Sequence, residues 1–218
     1  MYRVVFFDVD GTLLDTRATM AAAYGNACEV LGLDEDDYTN LYEYVGTSTS
    51  QMFSDKHGLS GDAFTQARQL YYDHFFNEGM KQVRFYDGMR QLLDDLKADG
   101  RVVAVATARN DWQIANMLEQ IGMGDYFDHL AAAHEGKHKG GDKDEMLREC
   151  MQKIGASPDE CIMIGDRRFD INGATKAGMH SIAVTFGFGS AEELSDECSP
   201  TYTAHNAQDI RKILWEHE

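Results

Sequence analysis

The sequence predicts an α/β fold, with a doubly wound parallel sheet and a small all-helical second domain. Val4–Phe7 is a continuous apolar run, which is typical of a strand buried on both faces of a parallel sheet. Similar runs later in the chain alternate with segments of helical spacing, which indicates βαβ units. Residues 16–84 instead contain several helical patterns and few strand runs. We therefore predict a core domain from residues 1–15 and 85–218, and a helical domain from residues 16–84.

The helical domain follows the first strand directly. Thr16 is a candidate cap for its first helix, and Gly32 comes where that helix is expected to end. Three more helices are predicted, around residues 35–45, 49–56 and 62–77.

After residue 84 the sequence alternates between helical and strand patterns. A helix with L-L-x-x-L spacing follows Gly88. The later strands are predicted at residues 101–106, 128–132, 161–164, 181–184 and 201–203. The later helices are predicted at residues 112–121, 142–154, 169–177 and 207–215.

Two carboxylates, Asp8 and Asp10, come directly after the first strand. The carboxyl ends of the strands are where ligands bind in open α/β sheets. Side chains two residues apart start on the same side of a strand, so the two carboxylates repel each other unless a cation or a shared proton offsets the repulsion. An acidic turn that merely precedes a helix would need only one Asp before Gly11. The pair therefore indicates a functional site.

The sequence V-V-F-F-D-V-D-G-T-L-L-D-T at residues 4–16 resembles the first motif of the haloacid dehalogenase superfamily, whose members are mostly phosphatases. The resemblance implies a Rossmann-like core, with Asp8 as the nucleophile and Asp10 as the general acid and base. A carboxylate that attacks phosphorus forms an aspartyl-phosphate, which divides one difficult displacement into two easier ones. A second carboxyl group protonates the leaving oxygen and later accepts a proton from water. Dehalogenases of the family lack the second Asp, so Asp10 favours phosphoester chemistry.

The strand at residues 101–106 ends at Thr107-Ala108-Arg109, which matches the second motif of the family. The resemblance implies that Thr107 binds the phosphoryl group and takes part in catalysis. A hydroxyl group beside the free N–H groups of a helix start forms an anion site, so Ala108 and Arg109 are candidate substrate contacts as well. The alternative is that Thr107 is an ordinary helix N-cap.

The sequence G-D-R-R-F-D at residues 165–170 follows another apolar strand and matches the fourth motif. The resemblance implies that Asp166 is a Mg²⁺ ligand and that Asp170 supports the site. Mg²⁺ prefers carboxylate oxygens and retained waters, which suits Asp8, the carbonyl of Asp10, and Asp166. The predicted metal-binding set is Asp8, Asp10, Asp166 and Asp170, and Mg²⁺ is the predicted cofactor.

The third motif of the family is a lysine that holds the nucleophile and the phosphoryl charge. We assign it to Lys143, which begins an amphipathic pattern at the position found in relatives whose lysine lies just inside a helix. Lys137 and Lys139 are the alternatives, since the common family sequence K-P-x-P-D is absent here. A cluster of four carboxylates needs positive charge beyond that of one metal ion.

The position of residues 16–84 matches the helical cap that one subfamily inserts after its first strand. The resemblance implies that this cap covers the active site, excludes water and selects the leaving group. Within the cap, the polar loop of Gly46, Thr47 and Ser48 is the candidate substrate contact. The alternative is that this loop only caps a helix.

The composition predicts a cytoplasmic enzyme without nucleic-acid or membrane partners. The chain has 218 residues and a formal net charge of −17, which disfavours binding to nucleic acids and anionic membranes. No apolar stretch approaches the ~18 residues that a membrane-spanning helix needs, and no signal peptide is evident. The four cysteines show no C-x-x-C pairing, which favours buried free thiols in a reducing compartment.

These expectations combine into a Mg²⁺-dependent phosphatase that hydrolyses a small-molecule phosphomonoester and resembles phosphoglycolate phosphatases. One alternative is a sugar phosphomutase resembling β-phosphoglucomutase. That family has a histidine in the first cap helix, whereas residues 17–30 contain none. Another alternative is a non-catalytic phosphate-binding regulatory module, which the intact motif residues disfavour. The sequence predicts neither the physiological substrate nor the oligomeric state.

Overall fold

The computed structural model describes residues 2–34, 41–42, 44–45, 51–133 and 143–216. The chain divides into two compact units. Met1–Asp15 and Phe85–Glu218 form the first, which we call the core unit, and Thr16–Arg84 forms the second, which we call the helical unit. Within the described residues, no helix is both long enough and apolar enough to cross a membrane.

A six-stranded sheet forms the centre of the core unit. Its strands are β1 (Val4–Phe7), β4 (Val102–Asn110), β5 (His129–Ala133), β6 (Cys161–Gly165), β7 (His180–Val184) and β8 (Tyr202–Ala204). They lie in the order β5-β4-β1-β6-β7-β8, and every neighbouring pair is parallel. The described residues also contain two short strands, β2 (Leu14–Asp15) and β3 (Arg84–Phe85). The predicted α/β class with a parallel sheet is confirmed.

Strand β1 lies in the middle of this sheet, as its uninterrupted apolar sequence predicts. All four of its residues have no exposed surface. Val4 is in register with Val102 of β4 on one side and with Cys161 of β6 on the other. From β4 the sheet continues outward to β5, and from β6 it continues outward to β7. The strand order therefore reverses beside β1, and the ligand-binding crevice of such sheets lies at this reversal, at the carboxyl ends of the strands.

The helices of the core unit alternate with its strands. They are α4 (Met89–Ala98), α5 (Asp111–Gln120), α6 (Lys143–Ile154), α7 (Arg168–Ala177), α8 (Ala191–Asp196) and α9 (Ala207–Glu216), with a short 3-10 helix at Pro158–Glu160. Strand β4 and helix α8 differ from the predictions. Strand β4 continues past residue 106, because Thr107 and Asn110 both pair with β5 across a register shift. Helix α8 was not predicted, since its six residues are too few to show a helical period.

The helical unit contains α1 (Arg17–Leu31), α2 (Gln51–His57), α3 (Gly61–Asn77) and a 3-10 helix at Gly79–Gln82. Helix α1 ends at Gly32 as predicted, because this glycine adopts the left-handed conformation with φ 64°. Thr16 occupies the N-cap position, but its side chain makes no capping hydrogen bond, and its hydroxyl lies 3.7 Å from the sulfur of Met20. The helix predicted at residues 35–45 lies mostly outside the described residues.

Aromatic side chains fill the interior of the helical unit. Tyr24, Tyr71 and Phe75 are fully buried. The ring centroids of Tyr24 and Phe53 are 5.5 Å apart, and those of Tyr71 and Phe75 are 6.1 Å apart. Both distances are typical of packed aromatic pairs, which contribute beyond their buried area.

Candidate active site

Three of the predicted acidic residues meet at the carboxyl ends of β1 and β6. Asp8 follows β1, and its backbone N–H donates to the carbonyl of Ile164 at 2.9 Å. Asp166 follows β6, and Asp170 lies in the first turn of α7. One carboxylate oxygen from each of these Asp residues lies within 4.8 Å of the other two, and all three residues are buried. Residues distant in sequence thus form one concentrated negative site.

Lys143 lies within this acidic cluster, at the first position of α6. Its Nζ donates to Oδ1 of Asp8 at 2.9 Å and to Oδ1 of Asp170. Burial alone would lower the pKa of Lys143, but the carboxylates of Asp170 and Asp8 outweigh that effect and raise it. The ammonium group therefore stays charged. The alternatives Lys137 and Lys139 lie outside the described residues, as do the predicted substrate contacts Gly46, Thr47 and Ser48.

The environment of the cluster opposes full ionisation of its carboxylates. Burial raises the pKa of Asp8 well above its ordinary value; Lys143 opposes part of that shift, and the neighbouring carboxylates add to it. Burial and the charge of Asp170 raise the pKa of Asp166 to about 7. The site therefore holds more negative charge than Lys143 offsets. A bound cation would relieve the repulsion.

The donor set fits Mg²⁺. Carboxylate oxygens are the hard ligands that this ion prefers, and it commonly binds one or two of them while keeping several waters. Asp8, Asp166 and Asp170 can supply such oxygens, because their carboxylates converge. The predicted ligand from Asp10, the fourth residue of the set, is its backbone carbonyl, and its carboxylate faces Arg109.

Asp10 and Arg109 form a buried bidentate ion pair. Nε of Arg109 donates to Oδ2 of Asp10, and Nη2 donates to Oδ1, both at 2.7 Å. Each side chain is only 10% exposed. The sequence predicted that Arg109 contacts the substrate, and the structure places its guanidinium on the predicted acid/base residue. Two parallel hydrogen bonds fix the carboxylate plane of Asp10, which a lysine at this position could not do.

Thr107 lies at the end of the regular part of β4 and is buried. Its hydroxyl accepts a hydrogen bond from the backbone N–H of Arg109 at 3.2 Å, and the half-buried Ala108 lies between them. The alternative that Thr107 caps the next helix is wrong, because Asn110 does so. The Asn110 side chain accepts from the N–H of Gln113 at 2.9 Å, and the Gln113 side chain accepts from the N–H of Asn110 at 3.2 Å.

Two donors to Asp166 were not predicted from the sequence. The hydroxyl of Thr12 donates to Oδ1 at 3.1 Å, and the backbone N–H of Phe188 donates to Oδ2 at 2.6 Å. Thr12 thus reaches from the loop after β1 across to the end of β6. Both oxygens of Asp166 therefore have a hydrogen-bond donor, which fixes the orientation of its carboxylate.

The glycine-rich loop at residues 185–190 packs against Asp166. A Cβ on Gly187 would lie 2.3 Å from the carbonyl oxygen of Gly11, and one on Gly189 would lie 2.0 Å from the carbonyl oxygen of Asp166. Such distances leave no room for a side chain. The alternating glycines were therefore the available signal that this loop approaches the site closely.

Comparisons with known proteins find a matching family and similar chains. The model of a family described as haloacid dehalogenase-like hydrolase matches residues 5–184. A 5'-nucleotidase of Pseudomonas aeruginosa is 31% identical over 219 residues, which cover 99% of this chain and 97% of that protein. A phosphoglycolate phosphatase of Vibrio vulnificus is 28% identical over 220 residues, with 97% and 96% coverage. The crystal structure of a predicted phosphatase from Clostridium acetobutylicum is similar with a TM-score of 0.85, at 31% identity and 99% coverage of both chains.

We expect Asp166→Asn to stabilise the metal-free protein at neutral pH. The pKa of Asp166 is about 7 in the folded state and 3.8 in its ordinary state. Between these values the folded state keeps a proton that the unfolded state releases, so the stability of the protein falls as the pH rises. In EDTA at pH 7.5 the variant should melt about 2–4 °C higher, which corresponds to roughly 1 kcal/mol, and the gain should shrink at pH 5. Thermal denaturation of wild type, Asp166→Asn and the exposed control Asp159→Asn measures this. A lower Tm for Asp166→Asn at both pH values would contradict it.

Proposed function

We propose that this chain, which belongs to the haloacid dehalogenase-like hydrolase family, is a Mg²⁺-dependent phosphatase that acts on small-molecule phosphomonoesters through an aspartyl-phosphate. The observation that carries the proposal is the contact of Lys143 with Asp8, inside a buried carboxylate cluster at the end of the central strand. The named activities of the 5'-nucleotidase and phosphoglycolate phosphatase relatives support the phosphomonoester class.

Asp8 is the proposed nucleophile. Its backbone is held by the central sheet, and Lys143 holds Oδ1, so the carboxylate has a fixed direction of attack. The attack forms a bond from a carboxylate oxygen to phosphorus and expels the alcohol of the ester, after which water hydrolyses the aspartyl-phosphate. Mg²⁺ bound by Asp8, Asp166 and Asp170 would supply electrostatic stabilisation of the phosphoryl oxygens.

Asp10 is the proposed acid and base. It donates a proton to the leaving oxygen in the first step and accepts one from the attacking water in the second. Arg109 holds both oxygens of this carboxylate, which sets its orientation before substrate arrives. When Asp10 is protonated, its O–H can donate to the leaving oxygen while both of its oxygens still accept from Arg109 through their remaining lone pairs.

Thr107 is the proposed contact for the phosphoryl group. Thr107 makes the last regular pairing of β4, which lies beside β1, the strand that Asp8 follows. A hydroxyl donor at this place can bind a phosphoryl oxygen while Lys143 offsets part of the negative charge. These core groups would recognise only the part that all phosphomonoesters share. A substrate panel that includes phosphoglycolate and nucleoside 5'-monophosphates therefore tests which member of the class is preferred.

Asp8→Asn removes the attacking charge while it keeps the shape of the side chain. We expect phosphate release from an aryl phosphate to fall by at least ~10³-fold, the scale of losing a nucleophile. Asp159→Asn makes the same chemical change at an exposed position and should retain full activity. An Asp8→Asn enzyme with a tenth of the wild-type rate would exclude Asp8 as the nucleophile.

Asp10→Asn should produce a loss that depends on the leaving group. Alkyl esters need a proton on the departing oxygen, so we expect a loss of ~10²–10⁴-fold for them. Single-turnover phosphorylation by an aryl ester with a good leaving group should be affected much less. Rapid-quench measurement with matched alkyl and aryl phosphates compares the two. Equal losses in phosphorylation rate would contradict the assignment of Asp10.

Removal of divalent metal should abolish activity, and Mg²⁺ should restore it. Ca²⁺ should substitute poorly, because it takes more ligands in a looser geometry than the compact carboxylate cluster favours. Phosphate release after chelation, and after addition of each metal in turn, measures this requirement. Full activity in excess chelator would refute the metal assignment.

A further inference from the structure

We propose that Glu193 is a positioning residue for the acidic cluster, and that it sets the affinity of the site for Mg²⁺ through the turn that carries Asp166 and Asp170. This inference rests on the proposed function, because it concerns the metal of that site. Glu193 lies in α8, outside every motif that the sequence indicated.

The carboxylate of Glu193 binds two consecutive residues of the turn. Nε of Arg167 donates to its two oxygens at 2.9 and 3.1 Å, and the backbone N–H of Arg168 donates to Oε1 at 2.9 Å. Glu193 is 9% exposed and Arg167 is 4% exposed. A buried carboxylate with several charge-assisted donors is held strongly in place, and it holds its donors in return.

The residues that Glu193 holds stand between two acidic members of the cluster. Arg167 directly follows Asp166, and its backbone N–H donates to Oδ2 of Asp170 at 3.0 Å. A shift of Arg167 would therefore move Asp166 through the chain and Asp170 through this hydrogen bond. Glu193 opposes such a shift from the side of α8.

The charge of Arg167 gives Glu193 a second effect. The side-chain Nε of Arg167 points to Glu193, although its own turn contains two carboxylates of the cluster. If Glu193 lost its negative charge, the acidic residues nearest to Arg167 in the sequence, Asp166 and Asp170, would become alternative partners for its guanidinium. An arginine paired with either carboxylate would compete with a bound cation.

The segment that leads to Glu193 is itself fixed against the cluster. The hydroxyl of Ser190 accepts from the N–H of Glu193 at 3.1 Å, and the N–H of Phe188 donates to Asp166. Gly189 packs against the carbonyl of Asp166 too closely for any side chain. Residues 187–193 therefore contact the turn in three places: the carboxylate of Asp166, the carbonyl of Asp166 and the side chain of Arg167.

Calorimetric titration of the substrate-free protein with Mg²⁺ tests this role. Glu193→Gln keeps the shape but removes the charge, and we expect its Kd for Mg²⁺ to rise about tenfold, the lower end of the range for residues that orient metal ligands. Glu192→Gln makes the same change at the neighbouring exposed position of α8 and should leave Kd within twofold of wild type. At saturating Mg²⁺, Glu193→Gln should recover a wild-type kcat within about threefold.

A purely structural role for Glu193 would give a different result. It predicts a lower Tm in EDTA with an unchanged Kd for Mg²⁺, and that outcome would overturn the inference. Glu193→Asp keeps the charge but retracts the carboxylate, so it provides a second measurement if Glu193→Gln does not fold. If the folded variant has an unchanged Kd and the wild type binds Mg²⁺, the inference is overturned and the proposed function stands. Absence of Mg²⁺ binding by the wild type would overturn both.

Discussion

The hydrogen bonds from Lys143 to Asp8 and Asp170 join the first turn of α6 to the end of β1 and the first turn of α7. The rest of the site is arranged around them. Without a buried ammonium group, these carboxylates would repel each other in a poorly hydrated place. With it, the negative charge is only partly offset, and the pKa of Asp8 remains well above its ordinary value. The residual charge is what makes the position suitable for a divalent cation.

Each carboxylate around this centre has its own fixed donors. Arg109 holds Asp10 at both oxygens, and the donors to Asp166 come from Thr12 and the backbone of Phe188. Rotation of either carboxylate would therefore break its own hydrogen bonds to these donors. Preorganised groups of this kind reduce the rearrangement that a reaction requires, at some expense to the stability of the protein.

The sequence predicted the parts of the molecule that depend on local patterns. The apolar run of β1, the left-handed Gly32 after α1 and the parallel α/β class are confirmed by the structure. The ion pair of Asp10 with Arg109 was not predicted, because it joins the loop after β1 to the end of β4 and neither residue has a periodic pattern that identifies its partner. Helix α8 was missed for a related reason: it is too short to show a period, and the function we propose for Glu193 depends on tertiary contacts alone.

The central position of β1 protects the backbone of Asp8 against local opening. Asp8 extends from a strand that is fully buried and paired on both edges, so its backbone can separate only when the sheet itself comes apart. The turn from Asp166 to Asp170 follows a strand of the same sheet, but its outer side is held by a six-residue helix and a glycine loop. A central strand is among the last segments of a fold to open, so the backbone of the nucleophile keeps its place as long as the sheet is intact.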